Sequence, residues 1–292
     1  MNLPFLIGLS FNGLAMGLTY ALLSMGLILL IRATDVLNFS QGDFVTMGGY
    51  VTYYFLFTLN LPMLPGLFLS ILVFAFTAIL FMLVTYLPVR HNKWTQTRMV
   101  CTMGASVIIK ELLPMVTTRN SRTMPAPIPG AFRVGLVSIS YHYIMIVGVC
   151  LLSMLITYVL FDKLYVGRAM MAAAQNPYAA ELIGIPTVLT ISATYIIVLV
   201  LSGIAGWLIV PTFILNNSLN LYQTRAFAGC VIGGFGDLKG ALIGSILIGI
   251  VEVYATLVST LYKDVIVYAI LLLVLVLKPT GLFSGGRVGV KV

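Results

Sequence analysis

The chain has 292 residues, of which 60% are hydrophobic and only 8% charged, with a mean hydropathy of +1.08. A soluble domain carries roughly 45–50% apolar and about 25% charged residues, so a soluble globular class is excluded and a polytopic membrane protein is implied. The net charge of +8 comes from sixteen Lys and Arg set mostly at the ends of apolar stretches, which is topology information and gives no ground for nucleic-acid binding.

A hydrocarbon core of about 30 Å needs around 20 apolar residues per helix, so a chain of this length with short loops supplies about eight crossings. Apolar length places spans near residues 5–31, 44–59, 65–89, 99–117, 141–161, 187–210, 240–258 and 262–278, with a shorter, Gly-broken ninth segment near 220–236. The expected fold is an all-α polytopic membrane protein of about 8–9 transmembrane segments, a single transmembrane domain over 1–292 with broken helices near 36–50 and 220–240. The start, MNLPFLIGLSFNGLAMGL, lacks a basic leader and a cleavage site and is expected to be retained as a full span.

With the N-terminus outside, Arg32, the group Arg90, Lys93 and Arg98, the pair Lys163 and Arg168, and Lys278, Arg287 and Lys291 are all inside. Arg119, Arg122, Arg133, Arg225 and Lys263 are then outside, with Lys110 and Lys239 unassigned. The segment 162–186 faces the cytoplasm after five crossings. The basic C-terminal tail is inside only if 220–236 also crosses; if that segment is re-entrant, the tail is outside. Irregular backbone at membrane depth survives only under protein cover or beside a water-filled cavity, so either outcome sets this segment near a pathway.

In chain order, the first unusual stretch is NFSQGDFVTMGGY at 38–50, with Asn38, Ser40, Gln41, Gly42 and Asp43 inside what would otherwise be a second span. A carboxylate at bilayer depth costs at least about 2.5 kcal/mol, so Asp43 is expected either to face the bundle interior or a cavity or to sit in the first turn of a helix, favoured by the positive end of the helix dipole. FAGCVIGGFGDLKG at 227–240, containing Gly233 and Gly234, has the same broken character in the other half, and paired interruptions of this kind point to a transporter's substrate path.

Asn12 and Thr19 share a helix face suited to interhelical hydrogen bonds, and Lys110, Glu111 and Glu252 are expected to find partners on neighbouring helices or to serve packing. The small residues Gly240, Gly244, Ser245 and Gly249 predict close helix packing, with a sister subunit as one partner. Tyr53, Tyr54, Trp94, Tyr141, Tyr143 and Trp207 read as interface anchors. Loop 118–142, Pro-rich and outside, is either a solvated connector or a platform whose Arg119, Arg122 and Arg133 meet acidic groups of a partner.

The one long polar segment is DKLYVGRAMMAAAQNPYAAELIGIP at 162–186. Its alanines, among them Ala169 and Ala180, favour helix and close approach. Asn176 and Pro177 mark a boundary or restart, Gly184 is placed as a C-terminal cap ahead of Pro186, and Arg168 offers a forked donor. The alternative is an ordinary surface helix resting on headgroups. Cys101, Cys150 and Cys230 read as small core residues, since the chain has no CxxC motif. His91 and His142 fall at opposite membrane edges, and neither HExxH nor a phosphate-cradling loop occurs, so no catalytic or metal site is expected.

Four stretches together carry a specific resemblance: GLTYALLSMGLILLIRATDVLNFSQGDFVTMGGY at 17–50, GRAMMAAAQNPYAAELIGI at 167–185, VIGGFGDLKGALIGSILIGIVE at 231–252 and LKPTGLF at 277–283. The chain resembles the permease subunits of branched-chain amino acid ABC importers nearly end to end. The resemblance implies a multi-pass protein of the bacterial inner membrane, paired with a sister permease or a second copy. Two ATPase subunits would bind on the cytoplasmic side, and an extracytoplasmic binding protein would deliver leucine, isoleucine, valine or another small neutral amino acid. It implies no cofactor on this chain, ATP being held by the partners, and it makes 167–185 the ATPase-coupling segment, with Gly167, Arg168, Ala169, Gln175, Asn176, Pro177, Ala180 and Gly184 as its candidate residues. Urea or short amides in the same machinery, and an ion-coupled transporter or channel using Asp43 or Glu252, are the alternatives.

Overall fold

In a computed structural model the described residues are 3–34, 36–90, 94–117, 122–134, 137–216, 219 and 221–283. His91, Lys93, Arg119, Arg287 and Lys291, which entered the charge and histidine arguments above, lie outside them.

Helix α1 covers Leu3–Thr34, α2 Gln41–Tyr53, α3 Met63–Thr85 and α4 Thr95–Thr117. A short antiparallel hairpin follows, β1 Ala131–Val134 with β2 Val137–Ser140. Then come α5 Tyr141–Asp162, α6 Tyr165–Gln175, α7 Pro177–Leu182, α8 Thr187–Ile209, α9 Leu221–Gly233, α10 Leu238–Val258 and α11 Lys263–Leu277. Every span expected from apolar length has its helix. The helices agree with the all-α expectation, and the hairpin adds a small ordered element to loop 118–142: its register pairs Ala131 with Ser140 and Val134 with Val137.

Among the described residues, five helical stretches are long and apolar enough to cross a membrane: Pro4–Thr34, Met63–Val89, Tyr141–Phe161, Thr187–Ile209 and Leu238–Val258. Several hydroxyls inside them are satisfied along their own helix, since lipid offers no partner. Thr19 donates to the Ala15 carbonyl, Ser70 to Gly66, Thr194 to Thr190 and Ser202 to Val198, each four residues back. Thr19 therefore bonds along its own helix, and Asn12 is only half-buried.

The chain's contacts group into two units, one of Met1–Ile28, Ala126–Leu152 and Gln223–Val292, the other of Leu29–Pro125 and Ser153–Tyr222. In the first unit α10 is gripped on two sides. A Cβ on Gly17 would lie 2.7 Å from Ile246 Cα, and one on Gly13 would lie 2.9 Å from Ile250 Cα, so α1 and α10 touch backbone to backbone. On the α9 side, a Cβ on Gly244 would strike the Gly229 carbonyl, and Ser24 Oγ donates to the Ala226 carbonyl and sits 2.7 Å from Ser245 Oγ. The small-residue ladder of α10 thus gives the close helix packing expected of it, against α1 and α9 of the same chain.

The second unit is built on the same device. A Cβ on Gly48 of α2 would lie 2.5 Å from the Gly203 carbonyl of α8, and one on Gly206 would strike the Val45 carbonyl. Phe74 of α3 covers Gly203, and Phe44, Phe81 and Tyr195 form an aromatic stack, the first two edge to face at 5.2 Å. Trp207, expected at an interface, is buried in α8, whereas Trp94 is exposed.

Candidate functional site

Residues 162–186 fold as two short helices set against the end of α5 and the start of α8. Gly167 has no room for a side chain, since a Cβ there would strike Leu160 O and Phe161 Cα, and Ala169, Met170 and Ala173 complete the buried stripe of α6. Ala172 O accepts from Asn176 N, and the Asn176 side chain caps α7 by accepting from the Ala179 N–H at 3.0 Å. Pro177 occupies the first position of α7, where its missing N–H costs nothing. At the far end Gly184 takes φ +82°, the Gly184 N–H donates to Glu181 O and the Ile185 N–H to Ala180 O, a 5→2 and 6→1 pair that closes the helix as a Schellman cap. Glu181 then accepts from Thr187 Oγ1 at the start of α8.

The opposite surface of this pair is unusual for a polar loop. Arg168, Gln175, Asn176 and Ala179 are exposed together with Tyr165, Val166, Tyr178, Leu182 and Ile183, the last at 75%. The helices are held rigidly from one side and present aromatic and aliphatic groups beside a guanidinium on the other.

The interruption between α1 and α2 is a buried polar knot. Asn38 Oδ1 accepts from the Ser40 N–H, Ser40 Oγ donates to Thr102 O at 2.6 Å, and Arg98 Nη1 donates to Thr34 O, covering one of the open carbonyls that end α1. Asn38, Ser40, Gln41 and Asp43 are all almost fully buried. Asp43 lies in the first turn of α2 and its Oδ1 is 4.0 Å from Lys110 Nζ of α4, so both parts of the expectation for this acid hold: helix start and interior position. Glu111, the neighbour of Lys110, is exposed, contrary to the expectation of a buried partner.

The interruption between α9 and α10 is a glycine turn. Gly234 and Gly236 take φ +122° and +96°, and Asp237 accepts from the Lys239 and Gly240 N–H groups as the N-cap of α10. Gly233 is packed so closely that a Cβ would strike the Gly240 carbonyl. The LKPTGLF stretch has its place here: the Leu282 N–H donates to Ile232 O and the Phe283 N–H to Gly233 O, strapping the chain over the end of α9.

A fourth cluster went unseen in the sequence. Arg225, counted among the outside charges within the segment 220–236, is a buried residue of α9, with Nη1 3.1 Å from Glu252 Oε1 and Nη2 2.7 Å from Asp264 Oδ1. Lys263 Nζ is 3.6 Å from the same Glu252 oxygen, and Tyr20 Oη donates to Glu252 Oε2 at 2.6 Å. Helices α1, α9, α10 and α11 meet at this network.

The family model for the permease component of branched-chain amino acid transport systems matches residues 9–275. The chain belongs to that family. Curated relatives include the high-affinity branched-chain amino acid transport system permease protein LivH of Salmonella typhimurium, 28% identical over 290 residues that cover 94% of each chain. BraD of Pseudomonas aeruginosa, described in the same words, is 28% identical over 289 residues with the same coverage. A probable branched-chain amino acid transport permease protein LivH of Methanocaldococcus jannaschii is 28% identical over 284 residues, 89% of this chain and 87% of that one. Among solved structures, PsaBC from Streptococcus pneumoniae in complex with Fab aligns over 90% of both chains with a TM-score of 0.48 and 12% identity. Membership in this permease family makes the chain a multi-pass membrane subunit of a transport system rather than an enzyme.

Proposed function

We propose that this permease is the membrane subunit of an ATP-binding-cassette importer that carries branched-chain or other small neutral amino acids across the bacterial inner membrane. It works with a sister permease or a second copy, two ATPase subunits and an extracytoplasmic binding protein. The observation that carries the proposal is the surface of α6 and α7. A docking element needs a rigid base and an exposed apolar face with a charge to set register, and large exposed apolar groups rimmed by polar ones mark interaction sites. Tyr165, Val166, Tyr178, Leu182 and Ile183 beside Arg168 supply that face. Gly167, Ala169 and Ala180 lock it to the bundle, while Asn176, Pro177 and Gly184 fix its turn and end and Gln175 adds a polar edge.

In this proposal α1 to α5, α8, α10 and α11 cross the membrane together with α9, giving nine crossings, and ATP is bound and hydrolysed by the partners alone. The substrate path runs beside the two helix interruptions, with Asn38, Ser40, Gln41, Gly42 and Asp43 at one and Gly233 and Gly234 at the other. An ion-coupled mechanism would require an acid that exchanges its cation. The pairing of Glu252 with both Arg225 and Lys263 weighs against that role.

Two substitutions test the docking face. Arg168→Glu reverses the cation carried by α6, and Gly184→Pro removes the N–H that bonds Glu181 and demands φ near −65° where the chain has +82°. Both variants are expected in the membrane at normal levels with amino acid uptake and substrate-stimulated ATP turnover reduced by roughly tenfold or more, as for loss of a charge-assisted contact of about 1.5–3 kcal/mol. Normal turnover and uptake in both would remove the assignment.

A further inference from the structure

Helices α2, α3 and α4, with the π-helical turn Tyr54–Thr58 that prolongs α2, enclose a cavity of about 790 Å³. Its wall is apolar and aromatic, including Val51, Tyr54, Val73 and Leu112, and among its lining residues Arg122 is the one charge. The arginine is fixed in place. Its N–H donates to Leu215 O at 3.1 Å, its carbonyl accepts from the Leu215 N–H at 2.8 Å, and its guanidinium lies 5.1 Å over the Tyr53 ring. Leu215 itself is fully buried. At the rim, Tyr54 and Leu112 are each 52% exposed, so the cavity opens through apolar side chains on the outer surface of a membrane protein.

Shape and charge together select the occupant. The volume lies in the upper part of the roughly 300–1,000 Å³ range of ligand pockets, far more than one leucine fills. A free amino acid is a zwitterion, and its ammonium would enter a wall with no carboxylate, at the cost that attends an unpaired charge away from water. A molecule with one anionic head and a long apolar tail meets no such penalty, and guanidinium is suited to a phosphate through two parallel hydrogen bonds. We propose that the cavity holds one acyl chain of an anionic phospholipid of the surrounding bilayer, its phosphate against Arg122. The lipid would brace the π-helical end of α2, whose single-turn widening is a recurrent mark of functional sites.

The test is native mass spectrometry of the full chain, purified with whatever partners it retains, from nanodiscs of phosphatidylglycerol and phosphatidylcholine mixed in equal parts. The wild type is expected to keep one phosphatidylglycerol in preference to phosphatidylcholine. Arg122→Gln should lower that preference roughly tenfold, the loss expected for a charged hydrogen bond. Val73→Trp, which fills the cavity and leaves the cation, should lower retention of both lipids. Thermal melting of each variant separates loss of lipid from loss of fold, and if Val73→Trp melts early the Arg122→Gln comparison decides alone. Equal retention of the two lipids by the wild type, or no change in Arg122→Gln, overturns the proposal. Displacement of the retained lipid by millimolar leucine overturns it also, and makes the cavity a substrate site.

Discussion

Glu252→Leu is expected to destabilise the folded chain by about 3–5 kcal/mol, the range for removing one partner of a buried ion pair. Glu252 accepts from Tyr20 on one oxygen and faces Arg225 and Lys263 with the other, while Arg225 reaches on to Asp264. Two cations and two anions balance. With the carboxylate gone, Asp264 is left as the acid of this network against two positive charges, around an Arg225 side chain that is 7% exposed, and the bond from the Tyr20 hydroxyl to Glu252 is lost. The double variant Arg225→Met with Glu252→Leu should cost distinctly less than the sum of the single changes. Asp264 and Lys263, at 48% and 21% exposure, can reach water or each other once the buried pair is absent. Unfolding by added denaturing detergent, followed for the two single variants and the double, reads both quantities. A Glu252→Leu protein as stable as its parent would show that the network contributes nothing to the fold.

Gly206→Leu is expected to cost more than the roughly 1–3 kcal/mol typical of overpacking, because what it strikes is backbone. A Cβ at this position would run into the Val45 carbonyl and come 3.0 Å from Gly49 N, and side chains can change rotamer where a helix backbone cannot. The clash falls one turn from the contact of Gly48 with Gly203, so α2 and α8 would part along their shared seam. Gly206→Ala should be milder and Gly206→Leu should abolish uptake, since α2 also carries Asp43 and its first turn. Melting temperature and uptake of the two variants give the answer. Full activity in Gly206→Leu would mean that α2 and α8 do not lie against each other.

The features legible in the sequence are those that depend on neighbouring residues. Apolar length found the helices because lipid leaves the backbone no other way to satisfy itself, and the helix ends missed by only a few residues. Asn176, Pro177 and Gly184 were readable as boundary and cap for the same reason: every bond that gives them their role lies within five residues along the chain. The burial of Arg225 was not legible because its partners are 27 and 39 residues further on, at Glu252 and Asp264. Within the segment 220–236 it counts only as a charge on one side of the membrane, and only the meeting of α9, α10 and α11 makes it a buried ion-pair partner. The α10 ladder was legible as close packing, but not that α1 and α9 cover it, because spacing reports that a small face exists without reporting what covers it. The hairpin at 131–140 was hidden by the prolines just before it, Pro125, Pro127 and Pro129, and by strands of only four residues, too short to show alternation. Exposure of Tyr165, Tyr178 and Ile183 could not be foreseen either, since apolar residues in a short amphipathic helix are ordinarily those it buries.

The central claim, that this permease works as one part of an ATP-driven importer docked through α6 and α7, is tested most directly by purifying the chain from its native membrane in mild detergent and identifying by mass spectrometry what stays bound. Recovery of an ATPase subunit and a second permease chain is the predicted result, with the ATPase absent from the Arg168→Glu preparation. Recovery of this chain alone, still moving amino acid under an ion gradient, would contradict it.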